Sequence, residues 1–203
     1  MKWKNTVDAY GMASMLFHWL TAAGFIAAYV VVYYVIWIID PETSVKPPLL
    51  GLAPDAQRVV PLLNIHWVLG ITLGVLTLPR LVWRLVGTRP APVPGSRLEH
   101  LASELAHRAL YGLLILMPVS GYMTTYDPTD FGLFVLPACR DTAGAEMIRH
   151  AMGWSVLELE EVMWAIHSFL GKWVAWALVV VHVGAALVHH FVRRDTVLRR
   201  MLP

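Results

Sequence analysis

Along the chain, long apolar stretches alternate with short clusters of charge and proline. Four stretches reach about 20 residues, enough to cross a hydrocarbon core as a helix. The first covers about 12–39 and stops at Asp40-Pro41-Glu42; the second, about 59–86, weakens at Pro79-Arg80 and closes before Thr88-Arg89-Pro90. The third covers about 105–125 and ends at Asp127-Pro128, and the fourth, about 162–192, ends at Arg193-Arg194-Asp195. No run alternates with the period of a half-buried strand. The pattern therefore predicts an all-α membrane protein, a bundle of four transmembrane helices forming one domain over 1–203, with loops at about 40–58 and 126–161. The second loop is long enough for structure of its own, and Leu157–Val162 reads as the start of a helix running into the fourth span. The first stretch is about twice as long as a signal-peptide core and lacks a small-residue cleavage site, so it reads as a permanent span.

Composition points the same way. Apolar residues make up 57% and charged residues 15%, against about 25% charged in soluble domains. Mean hydropathy is +0.57 and there are nine tryptophans, as suits lipid with indoles at its interface. Disorder and nucleic-acid binding recede together. A net charge of +2 says little by itself; the distribution says more. Lys2, Lys4, Arg80, Arg84, Arg89, Arg97, Arg108, Arg193, Arg194, Arg199 and Arg200, 11 of the 16 basic residues, fall on the side of the two termini. The other side holds Lys46, Arg58, Arg140, Arg149 and Lys172 beside ten acids. By the positive-inside rule both termini are cytoplasmic and the acidic loops face outward. The lone Cys139 excludes an internal disulfide and reads as an outward-facing loop thiol.

Five of the nine histidines, His18, His66, His107, His167 and His182, fall within apolar runs. Ionisable groups are expensive in lipid and face the bundle interior with partners. His66 and His167 lie near the outer ends of their spans, and His18 and His182 near the inner ends. His182 follows His167 by 15 residues, about 22 Å along a helix and roughly 60° from a whole number of turns. Each depth thus has two imidazoles on two helices, which is what low-spin haem iron requires on the two sides of its ring. Ala22, Gly70, Gly74 and Gly171 lie on the faces of these histidines, leaving room for two stacked macrocycles. For any one histidine, a hydrogen-bonded interior residue or helix contact is the alternative. A histidine-lined metal carrier is a further alternative, although carriers ordinarily use carboxylates that these spans lack. His107 is a second candidate for the inner ligand, or a partner for a haem propionate. Arg80 and Arg84 are candidates for pairing with propionates, with positive-inside anchoring as the plainer role, and with His189 they are candidates for a quinone site. Trp19 and Trp67 read as packing at the bundle rim.

The chain resembles the bacterial cytochrome b561 proteins. The likeness is carried by His182-Val-Gly-Ala-Ala-Leu-Val-His-His with Arg194-Asp195-Thr196 and Leu198-Arg199-Arg200-Met201-Leu202. It extends to Phe17-His18-Trp19-Leu20, Asn64-Ile65-His66, Ala106-His107 with Leu110-Tyr111, Pro118-Val119-Ser120-Gly121, and Phe131-Gly132-Leu133 with Pro137. The resemblance implies two b haems, ligated by His18, His66, His167 and His182, and electron exchange with membrane quinone. In the best-understood branch it implies oxidation of superoxide at the outer face and reduction of ubiquinone. The spacing of 15 in the fourth span is one residue longer than the family pattern, which predicts a local bulge there or a differently placed outer ligand. Ten acids against five bases outside oppose the steering of an anionic radical. A second reading, an anchor subunit relaying electrons for a partner dehydrogenase or hydrogenase, accommodates that surface, since acidic loops suit a basic redox partner.

Overall fold

The computed structural model describes residues 2–45 and 53–202. Lys46 and the rest of positions 46–52 in the first loop lie outside the described residues. Among the described residues the fold is mostly helical: α1 (Met12–Tyr34), α2 (Val59–Val86), α3 (Arg97–Tyr122), α4 (Ala143–Met152), α5 (Val156–Phe169) and α6 (Ala175–Leu187). Short π-helical segments extend these. Val35–Ile39 prolongs α1, Leu170–Val174 joins α5 to α6, and Val188–Arg193 follows α6.

Among the described residues, three continuous helices are long and apolar enough to cross a membrane: Met12–Ile39 with 28 residues, Ala56–Val86 with 31 and Val156–Arg193 with 38. At about 1.5 Å per residue each exceeds a hydrocarbon core of about 30 Å. Ile26, Val30, Val75 and Val180 on these helices are each more than 60% exposed, an arrangement that lipid favours and water does not. The 26-residue α3 is also long enough, but Arg97, Glu99, Glu104 and Arg108 dilute its first half.

Local chemistry sets the helix ends. Ser96 and Glu99 form a reciprocal cap at the start of α3: the Ser96 N–H donates to Glu99 Oε2 at 2.8 Å and the Glu99 N–H to Ser96 Oγ at 3.3 Å. Ser155 and Glu158 repeat it at α5. Two of the orphan N–H groups at each helix start are satisfied in this way. Thr142 caps α4 by accepting from the Ala145 N–H, and Gly153, at φ 69°, ends α4 in the left-handed region that glycine enters at least cost.

The chain forms two compact units. The first comprises Met1–Thr21, Gly74–Met117 and Ile166–Pro203. Within it the N-terminal segment is tied down by Asn5, which donates to the Thr88 carbonyl at 2.9 Å and accepts from the Gly11 N–H and the Ser14 hydroxyl. The tail is held by Trp19 Nε1 donating to the Met201 carbonyl at 2.7 Å and by Arg200 donating to the Ala91 carbonyl.

The second unit comprises Ala22–Leu73 and Pro118–Ala165. Here α1 and α2 approach closely at Gly24, where an added Cβ would stand 2.9 Å from Leu73 Cδ2. The segment after α3 holds an antiparallel ladder, β1 (Thr129–Asp130) with β2 (Val135–Leu136). This departs from the strand-free expectation, because strands of two residues are too short to show an alternating pattern. Cys139 also departs from expectation. It is 6% exposed and packs with Ala145 and Leu159 inside a shell of Tyr122, Met123, Trp154 and Met163. Its N–H donates to Thr125 Oγ1, and burial raises the pKa of its thiol.

Candidate functional site

In the first unit, α1, α2, α3 and α6 each bring polar side chains together. The ring of His18 on α1 lies 6.1 Å from that of His182 on α6, centroid to centroid, with planes at 56°. His107 on α3 stands 5.4 Å from His182, edge to face at 90°. Its Nδ1 donates to the Ser103 carbonyl at 2.6 Å, one turn back on its own helix. From α2, Arg80 Nη2 comes to 3.5 Å from His18 Nδ1, a positional contact at the limit of a hydrogen bond. Arg80 and Arg84 both lie against the Tyr111 ring, their guanidinium carbons 5.3 and 5.1 Å from its centroid, within cation–π range. Tyr111 entered the sequence reading only as part of the likeness at Leu110-Tyr111, with no role assigned to it. It lies four residues after His107 and so shares its face, which is the signal that was available.

His167 also belongs to the first unit, and its Nδ1 donates to the Met117 carbonyl at 3.1 Å. His66 belongs to the second, where its Nδ1 donates to the Ala28 carbonyl at 3.0 Å. A carbonyl can only accept, so in both rings Nδ1 carries the proton and Nε2 carries the lone pair. That outer hydrogen bond is how a metal-binding imidazole is ordinarily held in orientation.

Between His167 and His182 the helix passes through the π segment Leu170–Val174. This is the bulge that the 15-residue spacing predicts. With one residue absorbed, 14 α-helical steps remain, roughly 40° short of four full turns.

His189 is engaged at the end of the last helix: its Nδ1 meets Asp195 Oδ2, and Asp195 Oδ1 accepts from the Val197 N–H at 3.0 Å. Partial burial acts to raise the Asp195 carboxyl, but these hydrogen bonds and the nearby His189 and Arg193 outweigh it and hold its pKa below the ordinary value. The contact closes the chain reversal at Arg194, which adopts φ 57°. Of the tryptophans, Trp19 is 43% exposed, and Trp67 meets Tyr126 edge to face at 5.7 Å within the second unit. Among the described residues no group of three or more His, Cys, Asp or Glu converges on a point.

Membrane-long apolar helices that carry neighbouring imidazoles fit the class of membrane electron-transfer cytochromes, to which the family match below assigns the chain. The chain belongs to the prokaryotic cytochrome b561 family, which matches residues 9–203. It is 32% identical to cytochrome b561 homolog 2 of Escherichia coli (strain K12) over 210 residues, covering 100% of this chain and 95% of that protein. It is 29% identical to the probable superoxide oxidase CybB of Yersinia pestis over 161 residues, 76% of this chain and 82% of the relative.

The family implies haem b, and the residues present fit it. Two imidazole–metal bonds of about 2 Å in line, plus ~1 Å from each nitrogen to its ring centre, set centroids roughly 6 Å apart. The His18–His182 separation of 6.1 Å matches, and the 5.4 Å of His107–His182 is shorter. At Gly70, one turn after His66, an added Cβ would meet nothing within 4 Å. That leaves space for a flat ring on the His66 face.

Proposed function

We propose that the protein is a single-domain, four-span cytochrome of the bacterial inner membrane that holds two b haems and conveys electrons from superoxide at the outer face to ubiquinone at the cytoplasmic face. The observation that carries this reading is the opposition of His18 and His182 from two helices at 6.1 Å. In this reading His66 and His167 ligate the outer haem and His18 and His182 the inner one. Support for the outer pair comes from the Nδ1–H donated to a carbonyl in both His66 and His167.

Bound haem b supplies reversible one-electron chemistry, with a potential set by its ligands, burial and nearby charge. The chain's own residues hold and tune it. Ala28 and Met117 fix the orientation of two imidazoles through their carbonyls. Arg80 and Arg84, braced on Tyr111, supply positive charge for the carboxylates of the cofactor. His107, tied to Ser103, is a neighbour of His182 rather than a replacement for His18. His189 is occupied with Asp195 and leaves Arg80 and Arg84 as the better candidates at a quinone.

In the overall reaction two superoxide anions each give up one electron and become O2. Ubiquinone takes up the two electrons with two protons and leaves as ubiquinol. Likeness to a probable superoxide oxidase supports this donor. Ten acids in the outward segments favour a second reading, in which the chain relays electrons for a basic partner protein. Rapid mixing of the purified, oxidised protein with superoxide separates the two. Reduction at a near-diffusional rate supports superoxide as the donor; slow reduction, accelerated only by an added partner, overturns it in favour of the relay.

A further inference from the structure

The segment between α3 and α4 presents an apolar tip that the electron-transfer reading does not use. Between β1 and β2 the chain turns at Gly132, at φ 80°, and Phe131 and Phe134 stack at 4.7 Å with planes 11° apart. The turn displays Leu133, Phe134 and Val135, with 96%, 58% and 59% of their surfaces exposed. Three consecutive exposed apolar side chains on a stiffened turn are costly in water and call for a cover.

Its depth identifies the cover. The turn is fastened to α2 by a reciprocal pair of hydrogen bonds: Asn64 Nδ2 donates to the Asp130 carbonyl at 2.9 Å, and the Asp130 N–H donates to Asn64 Oδ1 at 2.8 Å. The Asp130 carboxylate accepts from the Gly132 N–H at 2.7 Å and shapes the turn itself. Asn64 lies inside the apolar helix Ala56–Val86, eight residues from its start. That helix is about 46 Å long against a hydrocarbon core of about 30 Å, so a centred core begins about 8 Å from either end. Asn64, about 12 Å in, lies only about 4 Å past that boundary between headgroups and acyl chains. Trp67, one turn further along, pairs with Tyr126, the aromatic signature of that boundary. Ile65, the neighbour of Asn64, is itself exposed, so the apolar surface of α2 reaches the level of the turn.

We propose that the β1–β2 turn is a lipid anchor, with Leu133, Phe134 and Val135 seated in the headgroup–acyl boundary of the adjacent leaflet. The occupant is lipid rather than a protein partner, because the turn is pinned at the depth of the bilayer edge on a helix that crosses it. Interfacial insertion of this kind uses side chains of the Leu and Phe type on a structured support. Asn64 is a positioning residue, since its paired hydrogen bonds to Asp130 set the level of the turn.

The test places a nitroxide at position 133, through Leu133→Cys in a Cys139→Ala background, on full-length protein in phosphatidylcholine nanodiscs. Collision with O2, which concentrates in lipid, is compared with collision with a water-soluble nickel chelate. A reference label at His150, whose side chain is 82% exposed next to Glu146, reports water access. The anchor predicts O2 dominating several-fold at 133 and the nickel chelate dominating at 150. A label at Val135→Cys repeats the measurement should the first variant aggregate. Equal nickel access at 133 and 150 overturns the proposal. So does spin–spin broadening at 133 that disappears on dilution with unlabelled chain, which would make the occupant a second copy.

Discussion

His167 and His182 lie on one continuous helix with a single π-helical segment, Leu170–Val174, between them. The segment accommodates one residue more than an α-helix needs and returns the two imidazoles to within roughly 40° of a common face. Deleting one residue inside it, Lys172, should convert the segment to regular α-helix and keep both haems. Inserting a residue instead turns His182 by about 100° relative to His167 and should cost one haem. Haem per chain measured on both variants checks this; haem loss on the deletion contradicts it.

The guanidinium of Arg80, 3.5 Å from His18, favours the electron-rich state of a haem held there. Arg80→Gln should lower the potential of one haem by tens of millivolts and up to about 100 mV, taking an effective dielectric near 20 and about 59 mV per tenfold change for one electron. Arg58→Gln, whose partner is Asp55, serves as the comparison and should leave both potentials in place. A redox titration of each variant reads the shifts, and an unchanged or raised potential in Arg80→Gln counts against the assignment.

Acid should loosen the tail. Arg193 donates to Glu99, the Ser96 N–H adds to it, and together they hold the Glu99 carboxyl at about 2. The folded value lies below the unfolded one of about 4.3, so the unfolded chain takes up the proton first. The contact therefore stabilises the fold fully above about pH 4.5 and is lost as pH falls through about 2. Both groups are exposed, so the effect is small. The difference in Tm between wild type and Glu99→Gln should shrink between pH 5 and pH 2; a constant difference would refute the linkage.

Cys139 should resist alkylation. Its thiol is buried and its pKa raised, and both slow the formation of the reactive thiolate. Maleimide labelling is expected to be at least tenfold slower in native protein than in denaturant. Equal rates would return the thiol to the surface.

Much of the site was legible in the sequence because its signal is chemical rather than periodic. An imidazole in an apolar run stands out wherever it falls, and His18 and His182, at one depth by sequence, stand 6.1 Å apart between ring centroids. The extra residue between His167 and His182 likewise predicted a bulge, since helical phase tolerates an insertion only by such a device. Other features left fainter traces. The start of α3 at Arg97 is eight residues before the apolar run begins, because it is set by the Ser96–Glu99 cap rather than by hydrophobicity. The β1–β2 ladder is too short for a period of two. The burial of Cys139 depends on α4 and α5 folding over it, contacts that no local pattern encodes. His189 offered a titratable ring near a membrane surface, yet its pairing with Asp195 depends on the chain reversal at Arg194.

If four histidines hold two haems, a pyridine-haemochrome spectrum with protein quantitation on the purified chain counts them. The expected result is two b-type haems per chain in the wild type, and one in each of His18→Ala, His66→Ala, His167→Ala and His182→Ala. His107→Ala should retain two. A wild type with fewer than two haems when made with ample haem supply, or a His107→Ala protein that loses one while His18→Ala keeps both, would contradict it.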